Sequence, residues 1–136
     1  VIAAVVDSSA WIRAFGGSSS VEEDTKAALV GGELALCEPV RLEILRGARD
    51  GAEAASLDNQ LESLLTLHTD QAAWRLARRT LVQLAHLPGG RHRGPSLVDV
   101  LVAATAERHG VAVLHDDDDF ELIAQVTGQT VLRLAA

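Results

Sequence analysis

The chain has 136 residues, 48% of them hydrophobic and 23% charged, with a net charge of −7 at pH 7. That length suits one compact domain, expected over residues 1–136, and the composition excludes a disordered, charge-dominated chain. The acidic balance excludes a protein that grips nucleic acid through a broad basic face, because that mode needs cations to displace the counterions of the phosphate backbone.

Residues 1–6, VIAAVV, form a continuous apolar run rich in valine, the pattern of a strand buried on both faces in a parallel sheet. Asp7 stops the run too early for a secretory signal, and no later stretch is long enough to span a bilayer. A cytoplasmic protein with no membrane contact is expected. The sequence holds no methionine, so a short segment is expected ahead of Val1. SSAWIRAF reads as a short helix, GGSSS at 16–20 breaks it, and a second helix is expected from about residue 21 to 30. GGELALC supplies a turn and a second strand. It ends in Cys37, a lone cysteine that excludes an internal disulfide and reads as a small core side chain in a reducing compartment.

Pro39 suits the first turn of a third helix, PVRLEILRGAR. Leucine and alanine then recur at helical spacing over residues 52–65 and 70–87, with TLHT between them as a short third strand. PGGRHRGP is a loop, SLVDVLVAATAERHG a helix ended by Gly110, and VAVLH a fourth strand. Four aspartates at 116–119 and a helix follow, and TVLRL is a fifth strand. Strands alternating with helices predict an α/β fold. The expectation is a three-layer α/β/α sandwich with a central parallel sheet of four to five strands flanked by helices and right-handed crossovers.

In such sheets ligands collect beyond the carboxyl ends of the strands. Asp7 ends the first strand, and the aspartate run follows the fourth. Asp99 opens the helix that leads back to the fourth, and Glu43 lies one turn into the helix after the second. All are predicted to converge on one rim. Each acid also has an ordinary use. Asp7 can cap a helix with Ser8, Asp99 stands three after Ser96, Asp118 stands three before Glu121, and Glu43 is within reach of Arg46. Capping leaves the run itself unexplained, since two unit charges about 4 Å apart repel by roughly 4 kcal/mol at a surface dielectric. A bound divalent cation turns that repulsion into ligation. Carboxylate oxygens with no cysteine cluster or HExxH spacing favour magnesium or manganese over zinc, and Phe120 stands where an EF-hand loop would need a ligand. Magnesium keeps waters and commonly binds phosphate too, so phosphate chemistry follows.

VVDSSAWI, PVRLEILRGA, SLVDVLVAATAERHG and VLHDDDDFELIA stand in the order found in PIN-domain ribonucleases, and together they most resemble the VapC toxins of bacterial toxin–antitoxin pairs. The resemblance spans nearly the whole chain, although residues 51–87 carry little specific signal. It implies that Asp7, Glu43, Asp99 and Asp117 form the catalytic acidic quartet. Asp7, Asp99, Asp117 and Asp119 would hold Mg2+ or Mn2+, and Ser9 would support a carboxylate or a metal-held water. Asp116 and Asp118 are then ordinary members of the run, exposed or capping. Where many PIN domains carry threonine or serine two before the fourth acid, this chain has His115.

The implied activity is metal-dependent endoribonuclease cleavage by in-line attack of an activated water, leaving a 5′-phosphate and a 3′-hydroxyl. The implied partners are the RNA substrate, a VapB-type antitoxin whose tail presents arginine to the acids, and a second copy of the chain in a homodimer and toxin–antitoxin hetero-oligomer. Arg91, His92 and Arg93, ahead of Asp99, are candidates for the RNA backbone, with a solvated basic loop as the ordinary alternative. Arg75, Arg78 and Arg79 read as a solvated helix face, and Trp11 and Trp74 as core or dimer-interface residues.

Two other classes fit less well. A receiver-like phosphoacceptor domain needs an acidic pair after the first strand and a lysine near the last, whereas Asp7 has no acidic neighbour and Lys26 falls early. A haloacid-type phosphatase wants an aspartate where Ser9 stands. A non-catalytic PIN-like binding module would usually have lost some of the acids, and here every position of the quartet is filled.

Overall fold

The computed structural model describes residues 1–15 and 20–134. Five strands, β1 (Ala4–Val6), β2 (Leu34–Cys37), β3 (Thr66–Leu67), β4 (Ala112–His115) and β5 (Val131–Arg133), form one sheet in the order β3-β2-β1-β4-β5. Every neighbouring pair is parallel. The helices between them are α1 (Ser8–Phe15), α2 (Ser20–Val30), α3 (Glu38–Arg46), α4 (Gly51–Glu62), α5 (Gln71–Ala85), α6 (Leu97–His109) and α7 (Asp118–Thr127). This is the expected parallel sheet flanked by helices. Residues 16–19 of the anticipated glycine–serine turn lie outside the described residues.

The first strand is shorter than its apolar run. β1 starts at Ala4 because its neighbour β2 begins at Leu34, the residue with which Ala4 is in register; Ala3 still donates its amide to Glu33 O at 2.7 Å. All three residues of β1 are buried, as are Ala112 and Val113 of β4. That double burial is why these strands are continuously apolar rather than alternating. Phe120, Leu36, Leu61, Leu84 and Ile123 are fully buried, each contributing about 1.5–3 kcal/mol of hydrophobic stabilisation. Cys37 is buried with them, and burial pushes its thiol up to about 12, so it behaves as a small core side chain. Trp74 does not join the core: it is 50% exposed on α5, near the exposed Leu97.

Two features of this packing position the site. α6 is buried over Val100, Val102, Ala103, Ala104, Thr105 and Ala106, and it touches α3, α5, α7, β1 and β4. Small and apolar residues all round a helix are what a central position demands. Gly110 ends α6 at φ 68°, the left-handed turn that lets Val111 donate back to Ala106 O at 3.0 Å and sends the chain into β4. The sheet also reverses its strand order between β1 and β4, since β1 leads outward to β2 and β3 while β4 leads to β5 on the other side. A crevice opens beyond the carboxyl ends at such a reversal. No helix among the described residues is long and apolar enough to cross a membrane.

Candidate active site

Asp7 follows β1 directly and is 1% exposed. Its Oδ2 accepts from the Ser9 amide at 3.0 Å and the Ser9 hydroxyl at 2.7 Å, which caps the start of α1. Its Oδ1 is buried and has no hydrogen-bond partner. The Ser9 hydroxyl in turn accepts from the Asp116 amide at 3.0 Å, tying the ends of β1 and β4 together. Burial pushes the Asp7 carboxyl above its ordinary range, with the Glu43 charge adding to it and the hydrogen bonds from Ser9 and Ser8 opposing it.

Glu43, on α3, does not turn to Arg46; its Oε1 accepts from the Ser8 hydroxyl at 2.9 Å. The start of α1 therefore steadies two acids through consecutive serines. Beside Glu43 a cleft lined by Ser8, Trp11, Ile44 and Gly47 leads away between α1 and α3. Asp99 sits in the first turn of α6, whose cap is Ser96; the Asp99 amide donates to the Ser96 hydroxyl at 3.1 Å. Its carboxyl is pushed up to about 7, by burial first, then by the charges of Asp7 and Asp117.

The expected convergence is present. Asp7, Glu43 and Asp99 each bring one ligand oxygen within 4.8 Å of the others, and so do Asp99, Asp117 and Asp119. Asp99 is common to both groups. Burial also raises the Asp119 carboxyl, with help from Asp117 and Asp118 and against the nearby charge of Arg91.

The aspartate run divides by parity. Asp117 and Asp119 face the cluster, while Asp116 and Asp118 turn to arginines: Asp116 to Arg13 at 3.3 Å and Arg133 at 3.5 Å, Asp118 to Arg133. Opposed pairing of alternate members lets four adjacent acids coexist. The cap of α7 is Asp117 rather than Asp118, its Oδ1 accepting from the Asp119 amide at 2.9 Å. Capping and cluster formation thus fall on the same side chain, as they do at Asp7. His115 is fully buried at the end of β4, and its Nδ1 accepts from the Asp117 amide at 3.1 Å.

Of the three loop residues, Arg91 is exposed and close enough to Asp119 to lower its pKa, Arg93 is exposed, and His92 is half-buried beside Gly90. On α5, Arg79 pairs with Glu107 at 3.0 Å, the ordinary surface role, and Arg75 and Arg78 are exposed. Trp11 is half-buried with its ring 4.4 Å from that of Phe15. Ser8 was expected only as a helix cap, not as a partner of Glu43, and the arginine pair Arg13 and Arg133 was not singled out from sequence. Their partners lie far away along the chain, 35 residues for Ser8 and Glu43, and only the fold brings them together.

The sequence matches the PIN domain family over residues 4–126. Ribonuclease VapC18 of Mycobacterium tuberculosis is 33% identical over 124 residues, covering 91% of this chain and 89% of that protein. Ribonuclease VapC11 of the same species is 35% identical over 126 residues, covering 90% and 92%. Among solved structures, a DNA-bound VapBC from Salmonella typhimurium has a TM-score of 0.79 at 13% identity, over 99% of this chain and 100% of that one. VapBC-5 from Mycobacterium tuberculosis gives 0.67 at 24% identity, over 98% and 99%, a likeness of fold. With the family match nearly end to end and the acids of its motifs gathered on one rim, the chain belongs to the PIN-domain family, among the VapC ribonucleases.

Proposed function

We propose that the chain is an endoribonuclease dependent on magnesium or manganese, acting as the toxin of a toxin–antitoxin pair that halts translation and growth by cutting RNA. The observation that carries this reading is the buried Asp7 Oδ1, without a donor, on a side chain that groups with Glu43 and Asp99. A buried carboxylate oxygen left unpaired among other acids is costly unless a cation meets it. The donor set is all oxygen, which suits a hard cation.

Asp7, Asp99, Asp117 and Asp119 would supply the metal ligands, and Glu43 joins Asp7, Asp99 and Asp117 in the acidic quartet. When bound, the ion supplies positive charge that acidifies water and offsets the charge building on the phosphate. The protein's own groups do the rest. Ser9 engages Asp7 Oδ2 and leaves Oδ1 without a donor, and Ser8 holds Glu43 on the same rim. Asp99 keeps a proton up to about 7 in the ion-free protein, so ion binding is linked to release of that proton. The exposed arginines 91 and 93, with His92, would meet the RNA backbone, and Arg91 already lies by the acids.

The names of the relatives VapC18 and VapC11 support ribonuclease activity, and the VapBC neighbours support a VapB-type antitoxin as partner. Assembly as a homodimer and as a toxin–antitoxin hetero-oligomer in the cytoplasm completes the proposal. The test is cleavage of total RNA by purified protein, with Asp7→Asn beside it. Cleavage that needs Mg2+ or Mn2+, stops with EDTA and falls by orders of magnitude in the variant is expected; equal activity in both proteins overturns the reading.

A further inference from the structure

The turn from β4 to α7 presents three amides that neither the strand ladder nor the helix satisfies. The Asp116 amide goes to the Ser9 hydroxyl at 3.0 Å, the Asp119 amide to Asp117 Oδ1 at 2.9 Å, and the Asp117 amide, between them, to His115 Nδ1 at 3.1 Å. Asp117 has φ −145° and ψ 124°, an extended residue between the strand and the first helical turn, so a side chain must supply its acceptor. The imidazole that does so is fully buried. Its ring lies 5.3 Å from that of Phe120, and its own carbonyl accepts from the Leu134 amide at 2.7 Å.

Accepting at Nδ1 leaves the ring proton on Nε2, and the structure gives that atom a direction. Nε2 is buried without a hydrogen bond and lies 3.6 Å from Glu121 Oε2, on the next turn of α7. A carboxylate facing one imidazole nitrogen fixes the tautomer at the other, as the outer partners of ligand histidines do.

We propose that His115 is a positioning residue: through Nδ1 it holds the Asp117 backbone so that the Asp117 carboxylate stays in the group with Asp99 and Asp119, with Glu121 orienting the ring. This rests on the cation-dependent reading above only for its consequence, not for the hydrogen bond itself. An acceptor on the side chain two residues before the acid is the requirement. Asparagine, whose Oδ1 stands at the same distance along the side chain as Nδ1, meets it, and phenylalanine, which keeps the ring and its packing, does not.

The test uses the full chain, with His115→Asn and His115→Phe as variants. In the wild type, NMR should show a scalar coupling across the hydrogen bond between the Asp117 amide nitrogen and His115 Nδ1; its absence overturns the proposal and needs no variant to fold. Titration calorimetry with Mn2+ should give His115→Asn an affinity within about threefold of wild type, and His115→Phe a loss of about 10- to 100-fold. Equal affinity in His115→Phe and wild type, or an equal loss in both variants, overturns it as well. A wild type that binds no divalent ion defeats the cation-dependent reading instead, and the coupling then decides the role of His115 by itself.

Discussion

Two aspartates in this molecule do the same local job in opposite surroundings. Asp70 caps α5, its Oδ1 accepting from the Ala73 amide at 2.9 Å while Oδ2 meets Arg108 Nε at 3.1 Å. The Ala73 hydrogen bond and the Arg108 charge hold its carboxyl below the ordinary range. Asp7 caps α1 through one oxygen, but the other is buried among acids, and its carboxyl lies above that range. A cap occupies one oxygen. What the second oxygen meets decides whether the residue serves the fold alone or offers a ligand.

The largest expected effect separates the two surroundings by activity. Asp99→Asn removes the acid common to both groups; loss of a metal's transition-state stabilisation, several kcal/mol, lowers cleavage on the order of 10²–10³-fold. Asp70→Asn should leave the rate of RNA cleavage unchanged, and a comparable fall there would erase the contrast. Next in size, Ser8→Ala frees Glu43 from its only described donor and should reduce kcat by roughly tenfold with little change in melting temperature, measured on the same RNA.

Stability should move with opposite signs. In EDTA, the folded protein holds a proton on Asp99 from the ordinary 3.8 up to about 7, where the unfolded chain has released it. Unfolding free energy therefore falls as pH rises through that window. Asp99→Asn, which cannot ionise, should flatten the fall and melt higher than wild type at pH 8. Asp70 has its carboxyl lowered, so its contribution is present above the ordinary carboxylate pKa and is lost as pH falls through the lowered one. Asp70→Asn should melt lower at pH 8, and melting curves across pH test both. The smallest effect belongs to Asp118→Asn, which removes an exposed partner of Arg133 and a minor charge beside Asp119, and should change neither cleavage nor melting measurably.

Much of the fold is legible in the sequence because parallel strands buried on both faces must be apolar throughout, as VIAAVV and VAVL are, and because Ser96, Gly110 and Pro39 mark helix ends by their own chemistry. The extent of β1 was not legible, since a strand ends where its neighbour does, and Leu34 is far along the chain. The acids of the site announced themselves through the cost of crowding them. Of their supports only Ser9 was expected, from the family resemblance. Ser8 reaches Glu43 and Arg133 reaches Asp116 only after the sheet has formed, and His115 meets Asp117 through a ring orientation that residue identity does not encode. Capping and membership of the acid cluster also looked like rival explanations of Asp7 and Asp117, whereas each of these side chains does both.

The adjacency of β1 and β4 has a bearing on how such a chain is made. Ser9 bonds to Asp116 at a separation of 107 residues, so a ribosome must have released the chain past β4 before the centre of the sheet can close. Until then the emerging product holds Asp7 and Glu43 but neither Asp117 nor Asp119. Both groups of acids can therefore assemble only in a chain synthesised past the turn that follows β4.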